Sequence, residues 1–92
     1  MLVRTAVRIR IRGLVHGVYF RGSMSELAGE ENIGGWVRNV ADGSVEATLE
    51  GEEEAVERVV EWARHGPPGA RVDSVQVTKL EPKNTKGFKV LG

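Results

Sequence analysis

The residues from Gly13 to Arg21 have the types and spacing of a loop that binds an anion. Gly13 and Gly17 lie four positions apart between a predicted strand and a predicted helix, and Arg21 stands at the start of that helix. The first N–H groups of a helix have no partners within it, so they can donate to an anion. An arginine adds a fork of donors that suits a tetrahedral oxyanion. The glycines alone are more typical of a tight turn, but together with Arg21 they favour an oxyanion site.

A second candidate is Asn39, which the sequence places near the end of a predicted strand. Asparagine is disfavoured in strands, because its amide competes with the hydrogen bonds of the sheet. One interpretation is a polar residue that merely leads into the next turn. The other is a positioning role, since a carboxamide can accept from a water molecule while it donates to an oxyanion. The residue types leave both interpretations open.

Other chemistry finds little support in the sequence. The chain has no cysteine, and its two histidines, His16 and His65, are far apart, so we interpret them as loop surface and a helix C-terminal cation. Glu50 and residues 52–54 suit the start of a helix better than a metal site. No Gly-x-x-x-x-Gly-Lys pattern, Gly-x-Gly-x-x-Gly pattern or nucleophile elbow is present. We therefore expect no metal, no cofactor and no nucleotide.

Hydrophobic periodicity predicts the elements that position these residues. Residues 7–12 alternate apolar and arginine side chains, as in a half-buried strand. The other predicted elements are a helix at 22–33 ended by Gly34 and Gly35, a hairpin of strands 36–40 and 44–50, a helix from about 52 to 65, and strands 71–80 and 87–91. Ser23 and Glu26 also match a capping box, which allows a start one turn later for the first helix. The order predicts an α+β fold, a ferredoxin-like β-α-β-β-α-β sandwich with two helices on one face of an antiparallel sheet and a short extra C-terminal strand.

Composition narrows the partners of the chain. Its 92 residues predict one domain over 1–92, and thirteen basic residues balance thirteen acidic ones. No apolar run reaches the length of a bilayer span and the N-terminal stretch contains arginines, so we predict a cytoplasmic protein with no membrane contact. We take a monomer as the default. An RNA-binding sheet would display aromatic side chains on its two central strands, whereas here arginines face glutamates, so nucleic acid is not expected as a partner.

Five segments resemble the acylphosphatases, in register over nearly the whole chain. They are G-x-V-x-G-V-x-F-R (13–21), G-W-V-R-N (35–39), D-G-S-V-E (42–46), G-P-P (66–68) and G-F-x-V (87–90). The first two together are highly specific. The resemblance implies a hydrolase that cleaves the carboxyl–phosphate bond of a small acyl phosphate, giving a carboxylate and inorganic phosphate. It also implies the predicted ferredoxin-like fold.

The resemblance also implies roles for particular residues. Arg21 would grip the phosphoryl group and Asn39 would orient the attacking water, with no metal and no covalent intermediate. The phosphoryl group would be cradled by the backbone amides of Val15, His16, Gly17, Val18, Tyr19 and Phe20.

The chain departs from the family pattern at three positions in the loop. Leu14 stands where the family often has a basic residue, which would modestly weaken substrate binding, and His16 stands where it often has glutamine. Tyr19 occupies a variable position and would shape the mouth of the site. Because similar domains occur within larger carbamoyl-transfer proteins, the alternative function is a non-catalytic module that binds phosphate or carbamoyl phosphate.

Overall fold

The predicted order of strands and helices is confirmed by a computed structural model, which describes residues 3–92. Met1 and Leu2, which the predicted domain includes, lie outside the described residues. The elements are β1 (Arg4–Leu14), α1 (Phe20–Glu30), β2 (Gly34–Asn39), β3 (Val45–Glu52), α2 (Glu53–Ala63), β4 (Arg71–Leu80) and β5 (Phe88–Val90). Most predicted bounds are within three residues of these. Neither helix is long and apolar enough to cross a membrane.

The five strands form one sheet in the order β4-β1-β3-β2-β5. The four long strands pair antiparallel, as predicted. β5 differs, because it pairs parallel to β2 with Phe88 opposite Gly35. The parallel direction of β5 follows from the path of the chain after β4. β4 ends opposite Ala6 near the start of β1, and residues 81–87 cross that same end of the sheet before the chain turns back along β2.

The alternation in β1 separates the core from the open face of the sheet. Val7, Ile9 and Ile11 point toward the helices and are buried, Ile9 and Ile11 completely. Met24 and Ala28 from α1 pack in the same core, together with four residues of α2: Ala55, Val56, Val59 and Ala63. On the open face the predicted pairing of arginines with acidic residues is confirmed by contacts such as Arg10 Nη2 with Glu46 Oε2 at 3.4 Å.

The bounds of α1 differ from the prediction at both ends. The helix begins at Phe20, so the predicted capping box is wrong: Ser23 lies inside the helix and its N–H donates to the carbonyl of Tyr19. At the other end Asn32 adopts a left-handed conformation with φ of 57°, and the N–H of Ile33 donates to the carbonyl of Ala28. This pattern closes a helix without glycine, since asparagine tolerates that conformation.

Gly34 and Gly35 do not end α1, as was predicted, but begin β2. The structure gives a reason for glycine at both positions. A Cβ at residue 34 would overlap the backbone at Thr85, and one at residue 35 would overlap the backbone at Thr48. The two glycines therefore allow neighbouring chain segments to approach closely at the start of this strand.

Candidate active site

The loop between β1 and α1 is anchored by its apolar side chains. Val15 and Phe20 are buried, and Val18 packs against the core. Gly17 and Tyr19 alternate with them, are exposed, and have left-handed φ values of 74° and 62°. Because the apolar side chains take the inner positions, the backbone of the loop is held in a fixed curve at the surface.

The N–H groups of the loop are available to a ligand. Within residues 3–92, no carbonyl or side chain accepts a hydrogen bond from the N–H groups of residues 15–20, the set that the sequence predicts to bind phosphate. In most proteins such groups are paired, so a row of six free donors is unusual. A curved run of free N–H groups next to a helix N-terminus is a typical anion-binding arrangement.

Gly13, near the end of β1, and Gly17, in the loop, have different functions. Gly13 has a φ of 137°, and a Cβ there would overlap the carbonyl oxygen of Arg71 and lie 2.9 Å from the nitrogen of Asp73. Glycine at this position therefore lets β1 approach β4 closely, at the point where the register of the two strands shifts. At Gly17 a Cβ would meet no atom within 4 Å, so only the left-handed backbone requires glycine. The open space at Gly17 leaves the adjacent backbone accessible.

Arg21 lies in the first turn of α1, and its guanidinium is oriented by the backbone of Leu91. Its Nη1 donates to the carbonyl of Leu91 at 2.9 Å, and the N–H of Leu91 donates to the carbonyl of Val37 at 2.8 Å. The Nε and Nη2 groups of Arg21 have no protein partner among residues 3–92. One edge of the guanidinium is therefore held by the backbone, and other N–H groups remain for a ligand.

Asn39 is the last residue of β2, opposite Val45 of β3. It is exposed, and in the part of the chain that the structure describes its carboxamide makes no hydrogen bond to protein. The interpretation as a strand-end residue is therefore right about its position. That position nonetheless puts its carboxamide beside the loop.

One surface cavity brings these groups together. Its volume is about 350 Å³, and its lining comprises Val15, Gly17, Tyr19, Phe20, Arg21, Gly22, Asn39 and Val90. A larger depression of about 480 Å³ lies between α2 and β4, where the carboxylates of Glu53, Glu57 and Glu61 outnumber the two basic lining residues, Arg64 and Lys79. Those carboxylates would repel a phosphate, so the smaller cavity is the better oxyanion site.

The loop is tied to the turn between β2 and β3 through His16. Its Nε2 lies 2.8 Å from the carbonyl oxygen of Ser44, so Nε2 must carry the proton, because a carbonyl only accepts. His16 lies in the loop, as predicted, but it is half-buried there, and its ring links the loop to the turn. The turn is fixed in its own right, because Asp42 accepts from the hydroxyl and the N–H of Ser44. These two bonds, with a smaller contribution from Arg12, lower the pKa of Asp42 to about 2.

His65 and Glu50, which the sequence does not favour as metal ligands, lie away from the cavity. His65 follows α2 with a largely exposed ring, 3.2 Å from Glu61 Oε2. In the range 3–92 no three His, Cys, Asp or Glu side chains form a group that could hold a metal ion. Glu50 is buried and accepts hydrogen bonds from Arg4 and from the N–H groups of Lys83 and Asn84, so it anchors the segment that leads into β5.

Sequence reasoning missed three residues of the site: Gly22, Val90 and Leu91. Leu91 acts through its backbone carbonyl, which no residue type reveals. Gly22 did leave a signal, since glycine is unfavourable inside a helix and indicates a packing constraint. That constraint is the ring of Tyr19, which a Cβ at residue 22 would overlap.

The chain forms a two-layer α+β sandwich, with free loop amides and an arginine at its first strand–helix junction. These features define a ferredoxin-like domain of the acylphosphatase type. The acylphosphatase family model matches residues 7–90, and the chain belongs to this family. It is 51% identical over 89 residues to an acylphosphatase of Thermococcus kodakarensis, covering 97% of this chain and 98% of that protein. The resemblance inferred from the sequence motifs is thereby confirmed.

Solved structures agree with the predicted fold. An acylphosphatase from Coxiella burnetii superposes with a TM-score of 0.91 at 33% identity, covering 96% of this chain and 93% of that one. A full-length HypF in a phosphate- and nucleotide-bound form gives a TM-score of 0.90 at 32% identity, but this chain spans only 12% of it. The near-complete overlap with free-standing acylphosphatases favours the enzyme over the non-catalytic alternative.

Proposed function

We propose that this protein is an acylphosphatase that hydrolyses small acyl phosphates by direct attack of water, without a metal ion. The observation that supports this most is the cavity shared by Gly17, Arg21 and Asn39. It combines free amide donors, a partly unpaired guanidinium and a free carboxamide, which are the groups that binding a phosphoryl group and a water molecule requires.

In the proposed site the loop amides and Arg21 bind the phosphoryl oxygens. A helix N-terminus alone contributes only about 0.3–1 kcal/mol to anion binding, so most of the affinity comes from the N–H groups of residues 15–20 and from Nε and Nη2 of Arg21. The bond to Leu91 fixes the guanidinium before substrate arrives, which lowers the entropy lost on binding. These donors also stabilise the charge on the phosphoryl oxygens in the transition state.

Asn39 positions the nucleophile. Its carboxamide oxygen accepts a hydrogen bond from water, while its NH2 group donates to a phosphoryl oxygen. The water oxygen attacks phosphorus, the bond from phosphorus to the acyl oxygen breaks, and the carboxylate leaves with the electron pair. The proton of the water passes to phosphate or solvent. A carboxylate is a good leaving group, so the step needs no general acid and relies on placement and charge stabilisation.

A synthetic acyl phosphate in buffer with a chelator tests the proposal. We expect wild-type turnover to persist, Arg21→Ala to abolish it and Asn39→Ala to lower kcat by about 10² or more, as for loss of one positioned donor. The matched control is Arg64→Ala, which removes an exposed arginine at the end of α2 and should change little. Wild-type turnover no faster than that of Arg21→Ala would refute the proposed acylphosphatase activity. Binding of inorganic phosphate without turnover would support the non-catalytic alternative.

We also propose a monomer in the cytoplasm that does not bind nucleic acid. The arginines of the open sheet face support the last point, because Arg10 and Arg38 contact Glu46, and Arg12 contacts Asp42. Light scattering, cell fractionation and titration with a single-stranded oligonucleotide at low salt test the three statements separately.

A further inference from the structure

Two large apolar side chains are exposed at the same cavity. Tyr19 and Val90 both line it, and their residues are 66% and 47% exposed. Single exposed apolar residues are common, but neighbouring ones beside a polar binding site often contact ligand. Arg21 lines the same cavity, and Tyr19 directly precedes α1 while Val90 belongs to β5.

The ring of Tyr19 is held in place although it is exposed. It lies against Gly22, where a Cβ would overlap the ring atoms Cζ and Cε1. Its hydroxyl donates to Glu26 Oε2 at 3.1 Å, and this hydrogen bond raises the pKa of Tyr19. Both contacts come from α1, so the ring is fixed to the rigid helix rather than to the loop.

The backbone at Tyr19 is unfavourable for a residue with a side chain. With φ of 62° and ψ of 33° it is left-handed, a conformation that glycine adopts without strain. The exposed ring gains little from burial in the core that would offset this strain. Non-glycine residues in such conformations occur often at ligand-binding sites, where the side chain has a function.

We propose that Tyr19 and Val90 form a subsite for the acyl group, and that the preferred substrates are acyl phosphates with an aromatic or large apolar acyl group. The proposal rests on the proposed function. When the loop amides and Arg21 bind the phosphoryl group, the acyl group leaves the cavity on its exposed side. There the ring of Tyr19 offers a face for stacking, and Val90 adds an aliphatic surface.

Rates with benzoyl phosphate and acetyl phosphate test the subsite, because the two share the reacting bond and differ in apolar area. In Tyr19→Gly the loop amide and its left-handed backbone remain while the ring is lost. We expect the ratio of its kcat/KM for benzoyl phosphate to that for acetyl phosphate to fall about two- to tenfold, the range of an aromatic contact. Most of the loss should be in KM, since the contact is the same in the ground and transition states.

Two further variants separate the subsite from a structural effect. Gly22→Ala keeps the tyrosine but displaces its ring, so it should lower the benzoyl-to-acetyl ratio as Tyr19→Gly does. Val90→Ser should lower the ratio too, whereas the control Val77→Ser, at an exposed valine of β4, should leave it unchanged. A ratio that stays at the wild-type value in the three site variants would refute the subsite while leaving the acylphosphatase activity intact. Absence of wild-type turnover with both substrates would instead refute the proposed function.

Discussion

Replacement of Glu50 by glutamine should destabilise the protein, and the effect should disappear in acid. Glu50 is only 4% exposed, and its carboxylate accepts from Arg4 Nη2 at 3.0 Å, from the N–H of Lys83 at 3.0 Å and from the N–H of Asn84 at 2.7 Å. Burial raises the pKa of Glu50, but hydrogen bonds from the backbone of Lys83, from Arg4 and from the backbone and hydroxyl of Thr85 outweigh it and lower the pKa from 4.5 to about 2. The ionised carboxylate is therefore strongly favoured by the fold.

The lowered pKa sets the size of the effect. A fall from 4.5 to about 2 corresponds to about 3 kcal/mol of stability at neutral pH. Glutamine keeps one oxygen that can still accept a hydrogen bond, so we expect Glu50→Gln to lower the free energy of unfolding by about 2 kcal/mol. For a domain of this size that is a drop in Tm of roughly 8–16 °C.

The dependence on pH distinguishes this mechanism from a general packing defect. Because the folded pKa lies below the unfolded one, the contribution of Glu50 is complete above pH 4.5 and is lost as the pH falls toward 2. Urea unfolding of both proteins between pH 7 and pH 2 should therefore show a stability difference that shrinks over this window. Glu57→Gln, at an exposed glutamate of α2, is the control, with an expected change within about 0.5 kcal/mol. A difference between wild type and Glu50→Gln that is the same at pH 7 and pH 2 would refute the reasoning.

Two further predictions concern the backbone around the site. Gly13→Ala should lower the free energy of unfolding by roughly 3 kcal/mol, because a Cβ at this position overlaps the backbone of β4. Gly29→Ala, in open space on α1, should raise the free energy of unfolding by about 0.5–1 kcal/mol. Equal melting temperatures for the two variants would contradict this prediction. Leu91→Pro removes the N–H that bonds to Val37 and so shifts the carbonyl that orients Arg21. Its kcat/KM should fall about ten- to a hundredfold, and Leu91→Ala, which keeps the backbone, should stay within about twofold. Equal rates for the two Leu91 variants would show that the carbonyl is not needed.

Local periodicity was sufficient to predict the secondary structure where one face of an element is apolar. The alternation in residues 7–12 predicted β1, and the predicted strand 71–80 agrees with β4. The start of α1 was harder, because Ser23 and Glu26 offered a plausible cap. Tertiary packing decided it: Phe20 is 2% exposed and its ring lies 5.2 Å from that of Trp62 on α2, which brings the first turn of α1 into the core.

The sequence by itself determined which residues form the loop of the proposed anion site, because the loop is continuous in the chain. The glycine spacing, the helix start and Arg21 are local features, and local features can be read from residue types. Only the tertiary structure placed Asn39 in the same cavity, fixed the ring of Tyr19 against Gly22 and brought the carbonyl of Leu91 to Arg21. These contacts depend on the pairing of distant strands and on backbone atoms that every residue shares, so the residue types do not reveal them.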